Sequence, residues 1–131
     1  MICTNIEQSQ QLVRLGLDPV TADMCFEMEK GNWTINVGKK SAQVNRGLAI
    51  PAWSLSALLE VMPKDTNETY HLFSSMMPDQ LGSWVCDRSK YYMDADGYNK
   101  NDYECFKSNS PVTAAYEMVC WLLEQGLIEK G

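Results

Sequence analysis

The feature that constrains the fold most strongly is an amphipathic helix near the C-terminal end, whose start and stop are both marked in the sequence. Ser110 is a favourable N-cap, and Pro111 fits the first helical position because no N–H donor is needed there. Gly126 favours the left-handed conformation in which helices commonly end. Apolar residues recur between these ends with helical spacing, at Val112, Ala115, Tyr116, Val119, Leu122 and Leu123. This stripe, widened by Met118 and Trp121, predicts a core helix packed on a sheet face.

Two shorter helices are also marked. The run Thr4-Asn5-Ile6-Glu7 has the form of a capping box and predicts a first helix over residues 6–15. Ser54 is a candidate N-cap for a second amphipathic helix, which Pro63 ends.

Alternation of apolar and polar residues predicts strands. Residues 23–29 and 33–37 alternate strictly on either side of a Lys30-Gly31-Asn32 turn, which indicates a β-hairpin. Further strands are predicted at residues 69–75, 83–87, 90–93 and 102–107, with a break at Arg88-Ser89 and a turn within 94–101. The expected fold is a single α+β domain over residues 1–131. Its antiparallel sheet of about four to five strands has two to three helices packed on one face.

Composition limits the kind of partner. The 131 residues carry a net charge of -6, which works against binding to nucleic acid phosphates. No apolar run approaches the ~18 residues of a membrane helix, and no secretory signal is visible. The sequence therefore predicts a cytoplasmic protein with neither a membrane nor a nucleic acid partner.

Motifs for catalysis or metal binding do not emerge. The five cysteines include no C-x-x-C pair and indicate reduced, mostly buried thiols. Residues 94–104 resemble a calcium loop, but aligning Gly97 with the invariant glycine puts tyrosines at both end positions, where carboxylates are needed. A hairpin turn explains their composition. His71, the single histidine, is expected on a surface or edge strand. We expect no cofactor, no metal and no enzymatic activity.

Two surfaces are candidates for binding. Exposed Tyr and Met residues are typical of protein-binding patches, and such a patch is predicted from Met77, Tyr91, Tyr98 and Tyr103. The glycine-flanked stretch 38–49 has little periodicity and predicts a loop. Its cations Lys39, Lys40 and Arg46 would suit an anion.

Two stretches, Ile50 to Pro63 and Ser110 to Leu127, with weaker support from Asp18 to Met24, resemble small uncharacterised proteins of gut anaerobic bacteria associated with prophages and other mobile elements. The resemblance covers about a third of the chain. It implies a bacterial or phage origin and no established activity, so it assigns no site residues.

The leading hypothesis is a non-enzymatic protein-binding module, such as a phage accessory factor. Two alternatives stay open. One is a small-ligand binding protein or unrecognised enzyme that uses loop 38–49, and the other is a self-associating structural subunit.

Overall fold

The protein belongs to the α+β class, as predicted, and its strands pair antiparallel. The computed structural model describes residues 2–37, 49–64, 67–77 and 80–131, and for 75–77, 80 and 81 it describes the backbone alone. Within these residues the α-helices are α1 (Ile6–Arg14), α2 (Leu55–Val61) and α3 (Pro111–Glu124). The described strands are β1 (Met24–Glu29), β2 (Asn32–Val37), β3 (Ala49–Ala52), β4 (Glu68–Met77), β5 (Gln80–Met93) and β6 (Asn99–Ser108).

The strands form two three-stranded sheets, in the orders β2-β1-β3 and β4-β5-β6. The single sheet expected from the sequence is therefore divided in two. Strand β3 completes the first sheet by pairing with β1, with Met24 opposite Ala52 and Phe26 opposite Ile50. The sequence predicts no strand over residues 49–52 and puts Ala49 in loop 38–49, because four residues are too few to establish an alternation; at Ala49 this prediction is wrong. Pro51 fits an edge strand, where its missing N–H costs no ladder hydrogen bond.

Helix α3 is the centre of the larger core, as its apolar stripe predicts. Its buried residues are Val112, Ala114, Ala115, Met118, Val119, Leu122 and Leu123. The helix contacts α2, β5 and β6. Ser110 accepts a hydrogen bond from the Thr113 N–H, and Gly126 has a φ of 72°, so both predicted ends are confirmed.

Helix α1 begins as predicted but uses a different cap. The side chain of Asn5 accepts a hydrogen bond from the Gln8 N–H at 2.8 Å, and the Gln8 side chain accepts one from the Asn5 N–H at 3.0 Å. The capping box is therefore shifted by one residue from the Thr4 and Glu7 pair. Thr4 instead is buried, and its hydroxyl lies 2.8 Å from that of Ser9.

The first hairpin is confirmed. Glu29 pairs with Asn32, and the two turn residues Lys30 and Gly31 have φ values of 50° and 81°. Positive φ at both central residues is typical of the type I′ turn, whose twist matches that of paired strands.

Strand β5 differs from its prediction, because it runs without the expected break at Arg88 and Ser89. Both residues are buried and paired within the ladder. Arg88 Nη2 donates a 2.6 Å hydrogen bond to Glu68 Oε1, and its guanidinium lies 5.5 Å from the ring centroid of Trp121. A charged residue in the middle of an apolar pattern predicts the end of a strand. Here the charge of Arg88 is instead neutralised by Glu68 on the neighbouring strand.

Trp53 ties the helices to the first sheet. Its side chain is fully buried, and its indole N–H donates a 2.9 Å hydrogen bond to the Thr21 hydroxyl in the 3-10 turn Pro19–Thr21. Its backbone N–H donates to the hydroxyl of Thr4, and its carbonyl accepts from the Thr4 N–H. The 3-10 turn is thereby fixed against α2, which follows Trp53 in the chain.

Candidate binding surface

Alternation along β5 gives the second sheet two distinct faces. Side chains that are directly opposite in a ladder share a face, and successive residues point to opposite faces. Trp84, Cys86 and Arg88 lie on the face that packs against α3. Asp87 and Tyr91 therefore point to the other side, which we call the open face.

The open face is rich in exposed aromatic and apolar side chains from all three strands. The ladder pairings place on it Phe73 and His71 of β4, Val85, Asp87, Ser89, Tyr91 and Met93 of β5, and Tyr103, Cys105 and Lys107 of β6. Tyr91 is 58% exposed, Met93 67% and Tyr103 51%. Val85, Asp87 and Ser89 of β5, which lie on the same face, are by contrast buried. The result is a continuous surface with aromatic and apolar projections around a buried centre.

Asp87 occupies the middle of this surface. Its side chain is 12% exposed, and its two carboxylate oxygens lie 3.2 Å from His71 Nδ1 and 3.1 Å from the Tyr103 hydroxyl, which donates to it. Both partners come from neighbouring strands, so the carboxylate links β4 to β6 across β5. A buried carboxylate needs such partners, because leaving its charge unpaired would cost several kcal/mol.

Tyr103 is held in position by this contact. Loss of water around its hydroxyl, together with the hydrogen bond to Asp87 and the charges of Asp87 and Cys105, raises the pKa of Tyr103 to about 12. The phenol therefore stays protonated and keeps donating to Asp87 at neutral pH. Its ring projects from the surface in a fixed orientation, which lowers the entropy that a binding partner would need to overcome.

His71 and Cys105 are the residues directly opposite Asp87 on the two neighbouring strands. Asp87 stands directly between them in the ladder, so the carboxylate separates the imidazole from the thiol. His71 is 62% exposed and lies on an edge strand, as expected from the sequence. Among the described residues, no group of three or more His, Cys, Asp or Glu side chains is arranged to hold a metal ion.

The predicted partner residues are only partly brought together. Tyr91 and Tyr103 lie on the open face, and Tyr98 lies in the turn at its end, where its backbone N–H donates to Asp94 Oδ1. The backbone of Met77 belongs to β4, but its side chain lies outside the described part of the chain. Lys39, Lys40 and Arg46 also lie outside the described residues, so the predicted anion-binding loop stays a prediction.

The residues that sequence reasoning missed are His71, Asp87, Phe73 and Met93 as members of one surface. The alternation of residues along each strand could have indicated which of them share a face. With a break predicted in β5, however, the sequence does not predict how the three strands pair. Without that register, Asp87 cannot be matched with a histidine 16 residues earlier and a tyrosine 16 residues later.

A second apolar area lies along one face of the first hairpin. Met28, Trp33, Ile35 and Val37 share one face there and are exposed. Val37 precedes residues 38–48, which the structure does not describe, so the surroundings of this area are described only in part.

Comparisons with known proteins give no relative: no family model, no curated protein and no solved structure matches the chain. Among the described residues, no helix is long and apolar enough to cross a membrane.

Proposed function

We propose that the protein is a non-enzymatic protein-binding module and that the open face of the second sheet is its contact surface. The observation that carries this proposal is an aromatic, charge-poor face on an acidic protein. Among the described side chains of this face, the charged ones are Asp87 and Lys107, which cancel, whereas the whole chain carries a net charge of -6. Depletion of charge together with exposed Tyr, Phe and Met is typical of the centre of a protein interface.

The charge distribution also specifies the partner. The chain as a whole carries a net charge of -6, so its electrostatic field favours approach of a basic protein and opposes a second like-charged copy. We infer a partner with an apolar patch at its centre and Lys or Arg side chains around it. The resemblance to mobile-element proteins adds a setting, in which a phage accessory factor acts on a host or phage protein in the cytoplasm.

The test compares two neighbouring tyrosines on opposite faces. Tyr91 lies on the open face, whereas Tyr92 pairs with Lys100 and points to the opposite side. Both are exposed, so either can be replaced by alanine at a small cost in stability. Wild type, Tyr91→Ala and Tyr92→Ala serve as baits in a pull-down from host lysate, and the captured protein is then purified for measurement of its Kd.

We expect Tyr91→Ala, and likewise Tyr103→Ala, to weaken the complex at least about tenfold, as for interface hot spots. Tyr92→Ala should leave the Kd within about twofold. Equal effects of Tyr91→Ala and Tyr92→Ala would contradict the proposal. Light scattering at two concentrations distinguishes self-association, in which case Tyr91→Ala would instead shift a monomer–dimer equilibrium.

A further inference from the structure

A groove on another part of the molecule has the properties of a second binding site. It has a volume of about 910 Å³ and lies between the segment from Leu17 to Asp23, helix α2 and residues 127–129. Volumes of this order hold drug-sized ligands or short peptide segments. None of the residues that form the open face lines it.

The groove has an apolar floor and apolar edges. Leu17, Ala22, Ala57 and Ile128 line it and are buried, so they form a fixed floor. Val20, at 62% exposed, and Leu127, at 39%, project from its edges. Binding of an occupant that covered these two side chains would be favoured by the apolar surface that it removes from water.

The groove is also acidic. Its polar lining includes four carboxylates, Asp18, Asp23, Glu60 and Glu129, and no Lys or Arg is among the described residues that line it. Asp18 and Asp23 are held by hydrogen bonds, the first to the Val20 N–H and the second to the N–H and hydroxyl of Ser54. Glu60 and Glu129 are exposed, and neither forms an ion pair with a described residue. These charges would attract a cation and repel an anion.

The shape of the groove is preformed. The hydrogen bond from the Trp53 indole to Thr21 fixes one wall, and the Ser54 N-cap, which Asp23 holds, fixes α2 on the other side. Leu127 is fixed at the end of α3, where its N–H donates to the Leu122 carbonyl at 2.9 Å. A preformed site binds without a large ordering cost.

We propose that this acidic groove binds a short peptide segment of a partner protein in which Lys or Arg residues flank apolar side chains. The apolar side chains would cover the floor between Val20 and Leu127, and the basic side chains would meet Glu60 and Glu129. The proposal is independent of the open face.

The probe is a capped Lys-Leu-Leu-Lys peptide, followed by methyl NMR of Val20, Leu127 and Ile128. Two matched peptides, Glu-Leu-Leu-Glu and Lys-Ser-Ser-Lys, change the charge and the apolar centre separately. We expect saturable shifts with Lys-Leu-Leu-Lys that weaken with added salt, and at least about tenfold weaker binding of both control peptides. Absence of saturable binding by Lys-Leu-Leu-Lys, or equal binding of all three peptides, would overturn the proposal.

Two double variants locate the site. Glu60→Gln/Glu129→Gln removes two groove charges, whereas Glu7→Gln/Glu29→Gln removes two charges at exposed positions that do not line the groove. All four positions are exposed, so both proteins should fold. The groove variant should bind the peptide about fivefold more weakly than the control variant. Equal weakening of peptide binding in both double variants would contradict the proposal that the peptide binds in the groove. Loss of peptide binding in Tyr91→Ala would show that the peptide binds on the open face instead.

Discussion

The two faces of the second sheet treat adjacent charged residues of one strand in opposite ways. Arg88 points under α3, where Glu68 and the Trp121 ring contact its guanidinium and both charged side chains are almost fully buried. Asp87 points to the open face, where its partners His71 and Tyr103 are themselves exposed. The first pair is closed to solvent and serves packing. The second organises a surface whose projecting groups remain available for contacts.

Substitution of Arg88 is expected to have the largest effect on stability. Removing its side chain leaves the Glu68 carboxylate buried beside Lys90, whose Nζ lies 3.8 Å away and is partly exposed. We expect Arg88→Ala to lower the free energy of unfolding by about 3–5 kcal/mol, as for a buried pair that loses one partner. Urea unfolding followed by circular dichroism measures this change.

A matched double variant controls for the loss of packing. Arg88→Met/Glu68→Met removes both charges and keeps similar volume, so it should recover most of the lost stability. The Nε of Arg88 is buried without a hydrogen-bond partner among the described residues, which adds to the expected recovery. A double variant as unstable as Arg88→Ala would show that the ion pair is not what the single variant loses.

A smaller effect is expected on the open face. In Asp87→Ala, His71 and the Tyr103 hydroxyl lose an acceptor, but water can enter the space that the carboxylate leaves, because both residues lie at the surface. The expected loss is about 1–2 kcal/mol, measured in the same urea experiment. A loss as large as that of Arg88→Ala would mean that the two faces are equally buried and would remove the basis for calling one of them open.

The pKa of Tyr103 sharpens the comparison. It is raised to about 12, first by loss of water around the hydroxyl and then by the hydrogen bond to Asp87 and its charge. Because the folded state holds the proton more tightly, this contribution to stability is present below about pH 10 and is lost as pH rises towards 12. Asp87→Asn should lower the pKa of Tyr103, as followed by NMR of ¹³Cζ-labelled tyrosine, with Tyr103→Phe assigning the signal. An unchanged pKa would show that Asp87 does not contribute to it.

The reactivity of the cysteine thiols tests the difference in burial between the two faces of the second sheet without substitutions. Cys105 is exposed on the open face, whereas Cys86 is buried on the packed face and Cys120 on α3 is half-buried. Burial raises the pKa of Cys120 to about 11 and, with the charge of Asp87, that of Cys86 to about 12. Alkylation requires the thiolate, so at pH 8 Cys105 should react first, Cys120 more slowly and Cys86 not in the folded protein. Mass spectrometry of modified peptides gives the order, and faster labelling of Cys86 than of Cys105 would reverse the assignment of the two faces.

Local signals explain how much of this could be predicted. The ends of α3 are fixed by Ser110, Pro111 and Gly126, and the first hairpin is fixed by alternation on both sides of a two-residue turn, so both are confirmed. Strand β3 carries no local signal strong enough to identify it. The sequence predicts a break in β5 because Arg88 is a charged residue within an otherwise apolar strand pattern. Both errors concern residues whose state is set by partners distant in the chain.

The candidate surface depends on the same distant information. Tyr91 and Tyr103 could be chosen from residue type, since tyrosines beside a turn are often exposed. The role of Asp87 could not, because a carboxylate at position 87 looks like any solvated charge until the ladder brings His71 and Tyr103 to it. Residue chemistry therefore indicated a part of the surface, and strand register supplied its organisation.

The measurement that tests the central claim most directly is the rate of Cys105 alkylation in the free protein and in its complex with the captured partner. Cys105 is exposed on the open face beside Asp87 and Tyr103, so it reports on that face without any mutation. If the partner covers the open face, the rate of Cys105 labelling should be at least about tenfold lower in the complex than in the free protein. The remaining rate should be proportional to the fraction of protein whose Cys105 is accessible. An unchanged rate in a saturated complex would show that the partner binds elsewhere and would contradict the proposed function of this face.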